Sequence, residues 1–75
     1  KDLASIYNNK GSACYRNGDL EGAERYQSKA YELDPNDKII KKNLASVYND
    51  KAIACYEKND LDGANRFNRM HMRLI

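Results

Sequence analysis

Sliding the sequence along itself by 41 residues lays LASIYNNKGSACYRNGDLEGAERY, Leu3–Tyr26, over LASVYNDKAIACYEKNDLDGANRF, Leu44–Phe67. Leu, Ala, Ser, Tyr, Asn, Lys, Cys, Tyr, Asp, Leu, Gly, Ala and Arg recur in register. One unit is therefore written twice, and any fold must satisfy the same packing rules in both copies. The chain has 75 residues, which is room for one domain with a small core. A repeat this short buries its apolar face only by stacking against its neighbour.

Within each copy the apolar spacing is helical. Leu3, Ile6, Tyr7, Gly11 and Cys14 share one face of a helix that ends near Asn17-Gly18. Gly18 suits the left-handed residue that stops a helix, and Asp19 supplies the next N-cap. Leu20, Ala23, Tyr26, Ala30 and Leu33 then form the buried stripe of a second helix over about 20–33. Pro35 ends it, since proline lacks an amide donor and drives Asp34 out of helical geometry. Asn36 or Asp37 can cap the third helix. Ile40, Leu44, Val47, Tyr48, Ala52 and Cys55 keep one stripe, so that helix is read as continuous over about 37–58, Lys38–Asn43 included. Asn59 replaces Gly18 at the second turn, as the next best residue for a left-handed conformation. A fourth helix begins near Leu61, with Leu61, Ala64, Phe67 and Leu74 facing inward. The fold class is all-α, with two hairpins at about 3–36 and 37–75 in a single domain. Tyr7, Gly11, Cys14, Ala23, Ala30, Tyr48, Ala52, Cys55 and Ala64 are expected to be buried at the helix crossings.

A helix that begins at Gly18-Asp19, places Ala30 seven residues after Ala23, and ends in Leu-Asp-Pro-Asn resembles the second helix of a tetratricopeptide repeat. The likeness covers nearly the whole chain, through Tyr7, Gly11, Tyr15, Ala23, Ala30 and Pro35, then Tyr48, Ala52, Tyr56, Ala64 and Phe67. It implies a short right-handed α-solenoid. The spacing exceeds that family's usual ~34 residues by about seven, two helical turns that lengthen the third helix without rotating its face. Lys10 and Lys51 stand where the family usually has leucine, with stems along the core edge as one reading and a functional pair as the other. Gln27 and Asn68 stand where an aromatic is usual, and Tyr26 and Phe67, one residue earlier, are positioned to replace it. Gly22 and Gly63 each cost about 1 kcal/mol inside a helix, from either close backbone approach or shared descent.

Chemistry-bearing clusters are sparse. His71 is the single imidazole, and its register matches the inward Ala30, so it reads as a packing residue. No phosphate loop, nucleophile elbow or metal-ligand spacing is present in the sequence. Asp60 and Asp62 fall at a helix start, where carboxylates favour the dipole. The expectation is a non-enzyme without metal or cofactor. The net charge of +2 argues against a dominant nucleic-acid field. Lys38, Lys41 and Lys42, and likewise Arg66, Arg69 and Arg73, read as solvated faces. No apolar run reaches the ~20 residues of a membrane span, and no signal peptide opens the sequence. Cys14 and Cys55 read as small reduced residues, which makes a reducing, cytoplasmic setting the default.

Binding is the remaining class. The resemblance implies a concave groove, lined by the first helix of each hairpin, that holds an extended segment of a protein partner. Its candidates are Asn8, Asn9, Ser12 and Tyr15, then Asn49, Asp50, Ile53 and Tyr56, with Ser5 and Ser46 beside them. Asparagine offers both a donor and an acceptor to a peptide backbone; plain solvation of these faces is the alternative. Asp50 disfavours a carboxylate-tail ligand. The sequence opens on Lys1 and stops at Ile75 inside the fourth helix, which suggests either a piece of a longer array or an end covered by another copy. In the second case Leu3 would meet Met70, Met72, Leu74 and Ile75 of a neighbouring chain in a structural, self-assembling scaffold.

Overall fold

The computed structural model describes residues 2–74. Four helices follow in order: α1 (Leu3–Arg16), α2 (Leu20–Leu33), α3 (Lys38–Glu57) and α4 (Leu61–Leu74). No strand occurs among the described residues. The aspartates set the helix starts. Asp2 accepts from the Ser5 amide, Asp19 from Gly22, Asp37 from Ile39 and Ile40, and Asp60 from Gly63. Each satisfies an amide that a helix N-terminus leaves without a partner. Gly18 and Asn59 carry φ of 80° and 62°, so the next amides turn back. The amides of Asp19 and Asp60 donate to the carbonyls of Cys14 and Cys55 at 2.9 and 2.8 Å. The segment Lys38–Asn43 is helical and continuous with Leu44 onward.

α1 packs along α2, and α3 along α4. α3 also lies on α2, whereas it meets α1 lightly. The result is two hairpins stacked through α3. Small residues sit at the contacts, with Gly11, Ala23, Ala30, Ala52 and Ala64 buried as expected. A stacked Tyr7–Tyr26 pair, centroids 6.1 Å apart, is matched by Tyr48–Phe67 at 6.2 Å. Tyr26 and Phe67 thus do the aromatic packing. Gly22 and Gly63 are required by close approach. A Cβ at Gly22 would collide with the capping Asp19 carboxylate and lie 2.9 Å from Cys14 Sγ; at Gly63 it would meet Asp60 and Cys55 Sγ in the same way.

Several expected core residues lie elsewhere. Leu3, Ile6, Leu33 and Leu61 are exposed, because α1 turns Ala4 and Gly11 toward α2 and nothing among the described residues covers the outer faces. Tyr7, Cys14, Tyr48 and Cys55 are half-buried, since the cysteines sit where the hairpins open into their turns. Both thiols are free. The core is deepest where α3 is laid on the first hairpin: Ile40, Leu44 and Val47 are buried, and Ile40 packs with Ala4 and Ala30 between Tyr7 and Tyr31. No described helix is long and apolar enough to cross a membrane.

Candidate functional site

The light contact between α1 and α3 leaves a cleft of about 200 Å³. α1 contributes Ser12, Tyr15 and Arg16 to it, α2 contributes Gln27, and α3 contributes Asn43, Ser46 and Val47. Gln27 is the least expected member, only 1% exposed. Its Nε2 donates to the Asn8 carbonyl at 3.2 Å and to Ser12 Oγ at 3.4 Å. The opposite end of the amide, Oε1, is buried and has no hydrogen-bond partner. A buried acceptor left unpaired costs about 1–3 kcal/mol, so this oxygen is poised for a donor. Gly11 makes the arrangement possible, because a Cβ there would lie 2.7 Å from Gln27 Cγ.

Polar bonds between α1 and α3 frame the cleft. The Tyr15 hydroxyl donates to Asp50 Oδ2 at 2.6 Å, and Asn43 Nδ2 donates to Asn8 Oδ1 at 2.9 Å. The hydrogen bond to Asp50, then burial, then its negative charge hold the Tyr15 phenol above the ordinary tyrosine range. Behind the cleft, buried Lys51 reaches from α3 to Glu21 and Glu24 of α2, at 3.2 Å from Glu21 and closer still to Glu24. It also lies 5.0 Å from the centre of the Phe67 ring. Burial pulls this ammonium down, but the bonds and charges of Glu24 and Glu21 outweigh it and hold Lys51 above the ordinary lysine range. Lys10, its counterpart, stays exposed, 5.6 Å from the centre of Tyr26. The lysines are alike in sequence and differ in environment.

Of the eight groove candidates, Ser12 and Tyr15 line the cleft. Asn8 and Asp50 are engaged in the frame, Asn49 is half-buried and Asn9 exposed. Ile53 and Tyr56 belong to another cleft, of about 380 Å³, between α3 and α4. Ser46 joins the first cleft, and Ser5 is exposed outside it. Reading along the sequence missed Gln27, Asn43 and Arg16. Gln27 stood where an aromatic was expected, opposite Gly11, and that pairing was the available signal.

The self-association candidates separate. Leu3 and Met72 are exposed. Met70 and Leu74 are half-buried and, with Leu44 and Tyr48, line a cleft of about 320 Å³ against Tyr31 of α2. They therefore do not form one end patch with Met72, because the helical turn between them aims Met70 and Leu74 back toward α3. Ile75 lies outside the described residues. His71 packs as its register indicated, half-buried, with Nδ1 at 2.9 Å from the Ala45 carbonyl oxygen.

A family model described as tetratricopeptide repeat matches residues 2–74. The chain belongs to the tetratricopeptide repeat family. No curated protein and no solved structure matches it. Repeats of this family generally mediate protein–protein interaction. In this tetratricopeptide repeat chain the side of α1 and α3 from which such a groove would be built is where the Gln27 cleft opens.

Proposed function

We infer that the chain is a non-catalytic protein-interaction module that holds an extended segment of a partner in the cleft between α1, α2 and α3. The observation that carries this reading is the unpaired, buried Gln27 Oε1 beside that cleft. Around it stand the hydroxyls of Ser12 and Ser46, the Asn43 amide and the Arg16 guanidinium. Together they offer acceptors and donors in alternation, which is what a peptide unit with one N–H and one C=O requires. The Tyr15–Asp50 and Asn8–Asn43 bonds fix the two walls before a ligand arrives, which lowers the ordering cost of binding. Scaffolding by joining partners follows from the same reading.

Selection of random peptides displayed on phage against the whole chain tests it. Peptides should be recovered whose binding is lost when Ser46→Arg fills the cleft, with the helical circular dichroism unchanged. A selection that yields no cleft-dependent peptide would overturn the reading.

A further inference from the structure

The repeat makes each surface of one hairpin comparable with its counterpart 41 residues away. α3 covers the first hairpin, and nothing among the described residues covers the corresponding face of the second. That open face carries Ile53, Tyr56 and Leu61, all exposed, beside Ala52, Ala64 and Asn68 in the cleft of about 380 Å³. Their counterparts Gly11, Ser12, Ala23 and Gln27 are buried or half-buried on the first hairpin. At the other end of the molecule, the outer face of α1 is the counterpart of the α3 face that does the covering. Leu3 is 52% exposed where Leu44 is 3%, and Ile6 is 40% exposed where Val47 is 1%. One molecule therefore displays both halves of an interface already made once inside it.

We propose that the outer face of α1 of a second copy docks on the open face of α3 and α4, repeating between chains the way α3 sits on the first hairpin. Each polar bond of the internal interface has a chemically competent counterpart. Lys51 with Glu21 becomes Lys10 with Asp62 of the neighbour, an ammonium–carboxylate pair once more. Tyr15 donating to Asp50 becomes Tyr56 donating to the Asn9 side-chain oxygen. Asn43 with Asn8 becomes Asp2 accepting from the Asn49 amide. Lys10 already lies over Tyr26 as Lys51 lies over Phe67, so its ammonium sits in the corresponding place beforehand. The Leu3 and Ile6 side chains supply the apolar contact, against Leu61 and Ala64. Charge, hydrogen-bond polarity and apolar positions agree along the same face, and that agreement identifies the occupant as this chain's own α1. The contact is head-to-tail, so successive copies extend an open row instead of closing a two-fold dimer.

The test uses two blocked variants of the whole chain, Ile6→Asp at the head and Ile53→Asp at the tail, both at exposed positions. In sedimentation velocity the wild-type chain should show a weight-average mass that climbs steadily with concentration. Each variant alone should run as a helical monomer, and an equimolar mixture should give a dimer and nothing larger, since one intact head meets one intact tail. Lys10→Glu should weaken the association at least tenfold, and adding Asp62→Lys in the same chain should recover it. A wild-type chain that stays monomeric throughout, or single variants that still associate, would overturn the proposal. None of these substitutions touches Ser12, Gln27, Asn43 or Ser46, so peptide capture in the other cleft is read independently.

Discussion

Lys51 and Gln27 show how burial changes what a polar residue does. Both positions read as surface-compatible in sequence, and both are covered once α3 lies on α2. Lys51 survives burial because two carboxylates and an aromatic face meet its ammonium. Lys51→Met keeps much of the stem and removes the charge, so the cost should be about 1–2 kcal/mol, between exposed and fully buried ion pairs. The pH dependence follows from the direction of its shift. Because the folded-state pKa is raised, the contribution is complete below the ordinary lysine value of 10.5 and is lost as pH rises through the higher folded value. Urea unfolding of wild type and Lys51→Met across alkaline pH should show a stability difference that is constant up to that value and shrinks above it. Ala23 makes the complementary case for packing. It is fully buried at the α1–α2 crossing, and Ala23→Leu should cost about 1–3 kcal/mol in the same assay through overpacking.

At the scale of the helices, most of the architecture was legible because its signals are local. The stop at Gly18 or Asn59, the aspartate caps and Pro35 each act within a few residues, and the helix ends follow them. Asp37 is a sharp example, since its carboxylate takes two amides at the start of α3. Asp37→Ala should destabilise the chain by about 0.5–2 kcal/mol, read as a lowered melting temperature, with fraying of the Lys38–Asn43 turns seen by amide exchange. What the sequence concealed was the packing between hairpins. Leu3 and Leu44 are the same residue in the same register, yet one is exposed and the other buried. Periodicity identifies an apolar stripe and says nothing about whether a neighbour arrives to cover it. The cleft was hidden for the same reason: Ser12 and Tyr15 were readable from α1, whereas Asn43 joined them only through the tertiary approach of α3.

The whole molecule is an interface made once and displayed again. α3 binds the first hairpin by apolar burial, the Lys51 ion pairs and the Tyr15–Asp50 and Asn43–Asn8 bonds, and the slender contact it makes with α1 opens the polar cleft. Loosening that contact should weaken capture of a partner more than it weakens the fold. Tyr15→Phe removes one hydrogen bond worth about 1.5–3 kcal/mol when the acceptor is charged, while the apolar burial of Ile40, Leu44 and Val47 remains. The variant should thus stay helical and bind a selected peptide more weakly in fluorescence anisotropy. Chemical-shift mapping of such a peptide on the isotope-labelled wild-type chain probes the central claim most directly. The account predicts shifts concentrated at Ser12, Tyr15, Asn43, Ser46 and the Gln27 side-chain amide. Shifts centred instead on Tyr31, Met70 and Leu74 would contradict it.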